Sequence, residues 1–336
     1  MLSYRNLLWI LPVLAAVALL ATGPFLSTTT LTRINLAFIA VIAAASLNVL
    51  TGNAGQVSLG HAAFLATGAY MAVIANMAWG ANLLLAIALG SAAAAVLGFV
   101  IGIPSLRFRG FYLALTTLAL HYIAVFAATR FQVAYGGLAG FRLPAPTLGP
   151  LVLSNDLQWY YFLLACVVLV LAVLHNLTQS KVGRAWKAVR DRDIAASIIG
   201  IDVSRYKLIA FTVSSLFAGF AGVLQAFYLG NVAVESYSLD LAISYVAMII
   251  IGGLSSIAGS VLGAIAVTQL PFAVQAVSSA VVPSGAMASA IFDIQAGAFG
   301  LIIIAFLLLE PDGLVGLFSR AWKSLMRRWR RTGSHR

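Results

Sequence analysis

His61 and His121 are polar exceptions within long apolar runs, and an imidazole in such a place can relay a proton or hold a metal. Either role needs a partner at helical spacing, and neither histidine has an acidic neighbour there. A histidine bonded to backbone is therefore the plainer reading of both. Ser58, Thr116, Thr117 and Tyr122 can line a polar path, although a helix also satisfies hydroxyls through its own carbonyls. Cys166 is the single cysteine, and no Cys/His cluster has metal-ligand spacing. The chain contains no Gly-Lys dipeptide, so it has no Walker A loop with which to cradle a nucleotide. Asp156, Glu235, Asp240 and Asp293 fall in loops or at the ends of apolar runs, as do Glu310 and Asp312. A self-sufficient ion- or proton-coupled transporter needs carboxylates within the membrane, and a hydrolase needs a triad or a carboxylate pair. Neither pattern is present. The expectation is a protein that is not an enzyme and has no catalytic or metal-binding residues.

The elements that position these groups follow from composition. The chain has 336 residues, of which 62% are hydrophobic and 9% charged. Its mean hydropathy is +1.01. A soluble domain carries roughly 25% charged residues, so this chain belongs in lipid. The apolar runs are continuous rather than alternating, which selects helices over a closed barrel. The predicted fold is all-α, a polytopic transmembrane helical bundle of about ten spans. They are read at 7–26, 31–50, 57–78, 82–104, 111–129, 159–177, 208–229, 241–254, 256–277 and 294–310, with 57–78 and 241–277 open to being broken or re-entrant. The first run is read as a retained helix, a cleaved signal peptide being the alternative. Residues 1–319 form one transmembrane domain, and 320–336 a basic tail.

Ten of the 29 charged residues crowd into one island, Lys181 to Lys207, whereas the preceding 180 residues carry seven. A charge at the bilayer centre costs ~2.5–3.5 kcal/mol on insertion scales, so the island must lie in water. With the N-terminus cytoplasmic, seventeen basic residues lie inside: Arg5, Arg107, Arg109, seven in the island and seven in the tail. Three lie outside: Arg33, Arg130 and Arg142. This asymmetry predicts that both termini and residues 181–207 are cytoplasmic. The placement of the tail beside a span also fits anionic lipid rather than nucleic acid. Within the island, Asp193 can cap a short helix Ile194–Ile199 and Gly200 can end it in the left-handed conformation. Ala195, Ala196 and Ser197 would let this helix enter a groove, with Ile198 and Ile199 supplying apolar area. Two readings stand: a handle for a soluble partner, or a solvated connector.

Glycines mark where helices touch or break. Gly98/Gly102 and Gly259/Gly263 are GxxxG pairs, which let backbones approach closely in lipid. Two patches resemble one another loosely, Gly52-Asn-Ala-Gly55-Gln56-Val-Ser58-Leu-Gly60 and Gly252-Gly253-Leu-Ser-Ser-Ile-Ala-Gly259. Paired interruptions of this kind hint at an internal repeat with a central substrate site. Gly52, Gly55, Gln56, Ser58, Gly60, His61, Thr117 and Tyr122 are the candidates for a translocation path.

An ordered set of segments resembles one family. It comprises Asn48-Val-Leu-Thr-Gly52-Asn-Ala-Gly55-Gln56-Val-Ser58-Leu-Gly60-His61-Ala-Ala-Phe64 with Gly68-Ala-Tyr70, and Arg107-Phe-Arg109-Gly110-Phe-Tyr112-Leu-Ala114-Leu-Thr-Thr117-Leu118. It continues through Gly136-Gly137-Leu-Ala-Gly140, Gly183-Arg184-Ala-Trp186-Lys-Ala-Val-Arg190 with Ala195-Ala196 and Gly200-Ile201, then Ala218-Gly219-Phe-Ala-Gly222 and Gly252 to Gly263. Together these span roughly residues 35–315 and resemble LivM-type permease subunits of branched-chain amino acid ABC importers.

The resemblance implies that the island is a cytoplasmic coupling loop, with Asp193, Ala195, Ala196, Ile198, Ile199 and Gly200 docking into an ATPase subunit. It implies a bacterial inner membrane and a homologous LivH-type permease partner. It also implies two ATP-binding cassette ATPases and an extracytoplasmic solute-binding protein. There would be no cofactor on this chain, because the partner subunits bind ATP. Relatives carry an acidic residue where this chain has His121-Tyr122. That leaves the substrate open among hydrophobic amino acids and the urea, amides and aromatic acids that related permeases serve. The alternative from another class is a self-contained channel or facilitator for a small polar solute such as urea or amides. A membrane scaffold would carry no flux at all.

Overall fold

The structure is a computed structural model that describes residues 22–108, 110–137, 139–148 and 151–281, with isolated positions at 297, 300, 301, 304 and 313–316. Most of the first apolar run and of the run at 294–310, together with the basic tail and Arg5, Arg109, Asp293, Glu310 and Asp312, lie outside the described residues.

Helix α1, Thr28–Asn48, is extended by one π turn, Val49–Asn53. After a non-helical loop come α2, His61–Trp79, α3, Leu83–Ser105, and α4, Phe111–Tyr135. Next are β1, Phe141–Arg142, β2, Thr147–Leu148, and β3, Leu151–Val152, followed by α5, Asp156–Gln179. The island folds as α6, Lys181–Asp191, and α7, Asp193–Ile198. The chain continues with α8, Val203–Leu229, β4, Asn231–Val232, a 3-10 turn at Val234–Tyr237, α9, Leu239–Gly252, and α10, Ile257–Val281.

Eight of the ten apolar runs fall on described residues, and each is helical. Seven stretches are long and apolar enough to cross a membrane; the eighth run, α10, has a shorter apolar part, Ile257–Ala273. The count among the described residues is therefore seven, and the runs at 7–26 and 294–310 fall mostly outside them. The run at 57–78 also begins later than expected, because Val57–Gly60 is not helical and α2 starts at His61. The fold is helical apart from two antiparallel ladders that the sequence did not announce. β1 pairs with β4 (Phe141↔Val232) and β2 with β3 (Thr147↔Val152), giving the connections at the end opposite the island partners for their backbone groups.

Helix α1 is the spine. Every residue from Ala37 to Leu50 is buried, as expected of a helix that is apolar all round. It packs against α5, α8, α9 and α10. At its start, Asn35 donates to the Asp156 carbonyl at 3.0 Å and Tyr228 to the Asp156 carboxylate at 3.0 Å, tying α1, α5 and α8 together.

Helices α2, α3 and α8 form the tightest group, and glycine is the reason. A Cβ at Gly68 would strike the Gly219 backbone, and one at Gly222 would strike the Leu65 carbonyl. The Gly98/Gly102 pair lies against Ser215 and Leu208 of α8, while Gly259 and Gly263 lie against the end of α9. Small residues thus bring backbones together where lipid offers no hydrophobic gain for association.

The neighbours of these glycines differ, and so should their tolerance. Gly222→Ala should lower the unfolding midpoint in detergent by an amount equivalent to about 1–3 kcal/mol, because the obstacle is a backbone carbonyl. Gly102→Ala should be near neutral: its nearest obstacle is the far methyl of Leu208 at 2.5 Å, and alanine gains ~0.5–1 kcal/mol of helix preference. Equal losses in the two variants would mean that backbone contact between α2 and α8 is not the limiting constraint.

Candidate functional site

The two glycine patches that resemble each other in sequence meet in space, at the island end of the bundle. The first break follows α1, where the π turn displaces the helix by one residue and Ala54 N–H bonds back to Val49 O at 3.1 Å. The second is Gly253–Ser256, between α9 and α10. Asn48 joins them. Its Oδ1 accepts from Ser255 N–H at 2.9 Å, while Nδ2 donates to Ser256 O at 2.8 Å and Ser260 Oγ at 2.7 Å. Ser255 is the one non-glycine with positive φ among the described residues, at +65°. Its hydroxyl donates to Gly52 O at 2.5 Å. At Gly52 itself a Cβ would stand 2.5 Å from Ser255 N, so only glycine fits beneath the second break.

The island covers this junction. Helix α6 carries Val182, Ala185, Trp186 and Val189 on one face, and Trp186 is wholly buried with its indole N–H donating to Tyr206 O at 2.8 Å. That places Arg190 over the breaks. Its Nη1 donates to Gly52 O at 2.9 Å and to Ser255 Oγ. Its Nε and Nη2 hold Asp191 Oδ1 at 3.2 and 3.0 Å. Gly55, at φ +69°, passes directly beneath; a Cβ there would come within 2.7 Å of Arg190 Cγ.

The remaining candidates of the first patch are buried and bonded to their surroundings. Gln56 donates to Lys207 O at 3.2 Å, fastening the loop to α8. Ser58 Oγ accepts from Gly60 N–H at 3.3 Å, and Thr117 Oγ1 accepts from Leu59 N–H at 3.0 Å while donating to Ala114 O at 2.9 Å. Gly60 lies against the Thr117 backbone, where a Cβ would be 2.6 Å from its carbonyl oxygen. His61 places Nε2 at 2.9 Å from Ala43 O and 3.2 Å from Ser46 Oγ, with Tyr245 edge-on at 5.7 Å. A carbonyl acceptor fixes the proton on Nε2, so His61 does not act as a base toward Ser46. These residues are brought together; Tyr122 is not, being 57% exposed on the outer surface of α4. His121 is buried. No cluster of three metal-ligating side chains occurs among the described residues.

The short island helix exists but differs in detail. Helix α7 runs Asp193–Ile198, and its N-cap is the extended Arg192, so Asp193 is not the cap. The Asp193 carboxylate lies 3.6 Å from Lys207 Nζ instead. Gly200 ends the helix at φ +89°, with Ile201 N–H bonded to Ala196 O and Gly200 N–H to Ser197 O, both at 3.0 Å. That is the Schellman arrangement. Ala196 faces into the protein at 2% exposure and is not free to enter a groove elsewhere. Ala195, Ser197 and Gly200 are exposed, and Ile194, Ile198 and Ile199 are 65%, 80% and 73% exposed.

Sequence reasoning missed Asn48, Ser255, Arg190 and helix α6. The α6 pattern was present, with apolar residues at 182, 185, 186 and 189 after Ser180, whose Oγ accepts from Val182 N–H at 3.1 Å.

A family profile described as "Branched-chain amino acid transport system / permease component" matches residues 29–309. The high-affinity branched-chain amino acid transport system permease protein LivM of Escherichia coli is 33% identical over 276 residues, which cover 75% of this chain and 65% of that protein. LivM of Salmonella typhimurium is 33% identical over 249 residues, 67% of this chain and 59% of its own length. A probable LivM of Methanocaldococcus jannaschii is 27% identical over 191 residues, 54% of this chain and 53% of that protein. The chain thus spans less than two thirds of the length of these relatives. No solved structure matches it. With seven apolar helices and the profile running from α1 to beyond α10, this chain belongs to the branched-chain amino acid transport permease family.

Proposed function

We propose that this chain is a membrane-spanning permease subunit of an ABC importer. It forms the translocation path for branched-chain or other hydrophobic amino acids, and ATP hydrolysis in partner subunits drives transport. The observation that carries the reading is the island. Two short helices are anchored by Trp186, present three exposed isoleucines outward, and rest on a junction between two broken helices. A solvated connector has no use for Ile194, Ile198 and Ile199 in water. A docking surface does, and burying one exposed isoleucine is worth ~1.5–3 kcal/mol. The branched-chain amino acid transport named for the similar permeases supports the substrate class. The partners in this reading are a homologous LivH-type permease, two ATPases and an extracytoplasmic binding protein, assembled in a bacterial inner membrane. The path runs beside the first glycine patch, with Gly52, Gly55, Gln56, Ser58, Gly60, His61 and Thr117 as its candidate residues; Tyr122, on the outer surface of α4, is not among them.

Orientation is checked with one cysteine. In a Cys166→Ser background, Ser197→Cys on the exposed side of α7 should resist an impermeant maleimide in intact cells and react after permeabilisation. Labelling in intact cells would place the island outside.

Coupling is checked at Ile198, since a substitution at the buried Ala196 would disturb the chain's own packing. Ile198→Asp should weaken ATPase association about tenfold or more, as 1.4 kcal/mol per decade requires. In vesicles containing all partners, the wild type should take up a labelled branched-chain amino acid only with ATP. Unchanged ATPase recovery in the variant would remove α7 as the docking surface. ATP-independent flux by the permease alone would replace the importer with a channel.

A further inference from the structure

Resting on the importer reading above, we propose that Arg190 is the positioning residue that ties the coupling unit α6–α7 to both helix breaks, holding the Gly253–Ser256 break in its strained form.

Three features converge on this side chain. First, Ser255 adopts a left-handed backbone that side chains rarely take, at φ +65°, and such a conformation persists only where the surroundings over-determine it. Its surroundings do so through three bonds: N–H to Asn48 Oδ1, hydroxyl to Gly52 O, and hydroxyl from Arg190. Second, two of those three anchors, Asn48 and Gly52, belong to the bundle, whereas Arg190 belongs to α6. Third, Arg190 reaches the carbonyl of one break and the hydroxyl of the other with the same nitrogen, while Asp191 occupies the other edge of the guanidinium and aims that nitrogen inward.

The consequence is mechanical. Nη1 has two hydrogens, and both are committed, one to each break. A small outward shift of α6 takes those bonds beyond hydrogen-bonding distance, since a separation of about 3.6 Å is no longer a bond. Asp191 moves with α6 and keeps the guanidinium paired, so the withdrawn arginine is not left without a counter-ion. Ser255 then loses one of its anchors, and the break between α9 and α10 is free to relax. Arg190 therefore converts displacement of the coupling unit into a change at the interrupted helices. Lysine is an incomplete substitute, because its point charge lacks the planar fork that serves Asp191 and both breaks together.

The test uses the complete complex in proteoliposomes, with Arg190→Ala, Arg190→Lys and Ser255→Gly. Glycine accepts the left-handed backbone without strain, so Ser255→Gly removes the hydroxyl without threatening the fold. All three variants should retain ATPase co-purification and basal ATP hydrolysis within about twofold. Arg190→Ala and Ser255→Gly should lose at least about tenfold in substrate transported per ATP, and Arg190→Lys should fall between. The double variant Arg190→Ala/Ser255→Gly should lose less than the two single losses combined, because the singles share the Arg190–Ser255 bond and each adds only its own bond to Gly52 O. Hydrogen exchange should rise about tenfold or more at residues 253–256 in Arg190→Ala while α1 stays protected.

Normal transport per ATP in both Arg190→Ala and Ser255→Gly would overturn the proposal. So would loss of assembly or basal hydrolysis in Arg190→Ala, which marks a merely structural arginine. A wild-type complex without ATP-driven uptake would refute the importer reading instead. Exchange at 253–256 then decides the arginine's role independently, and unchanged protection there would refute it.

Discussion

Two broken helices satisfy one another, and the structure is arranged around that fact. A helix interrupted within a protein leaves backbone N–H and C=O groups that need partners, and buried interruptions survive only when those partners are supplied. Here the end of α1 and the start of α10 face each other, and one amide side chain, Asn48, serves the second break with both ends. Arg190 and the Ser255 hydroxyl cap the first break at Gly52 O. Each break depends on the other's geometry. Gly52 must be glycine because Ser255 lies against it, and Ser255 holds its left-handed backbone because Asn48 and Gly52 bind it.

The close packing elsewhere follows from the same need for rigidity. Breaks that support each other at one end require helices that do not slide, and α2 and α8 are locked by Gly68 and Gly222, at which even a methyl group would strike backbone. At the opposite end, the Asp156–Tyr228–Asn35 cluster and the β1–β4 ladder hold the connections. The loop from Gly55 to Gly60 runs between these fixed parts. Gln56 fastens it to α8, and Thr117 fastens it to α4.

Much of this was legible in the sequence, and the rest was hidden for identifiable reasons. Helices α1 to α5 and α8 to α10 announce themselves through continuous apolar runs, because lipid imposes that composition. The left-handed Gly200 was legible from its place after the island's small helix. Asp193 misled, because a residue suited to capping found Lys207 as a partner and left the cap to an extended arginine. Ala196 misled because small size reads alike whether a residue enters a partner's groove or its own protein's interior. The pairing of Asn48 with Ser255 spans 207 positions, and no local pattern encodes it. The ladders are two residues long, too short for alternation to register.

What the buried polar groups do bears on where the driving force enters. Asn48, Ser58, Thr117 and the Nε2 of His61 are each committed to backbone groups, with Ser260 and Ser46 as further neighbours of Asn48 and His61. A group so committed has little left to offer an ion or proton passing through. The charged contacts that remain adjustable lie on the island and at the ends of the apolar helices, where Arg190 is shared between Asp191 and the two breaks and Lys207 pairs with Asp193. These are ion pairs and hydrogen bonds at a water boundary, and they can be exchanged without moving a charge into hydrocarbon. A bundle whose glycine-patch side chains are held in this way is moved most cheaply through its island, where the charged contacts can be exchanged at the water boundary.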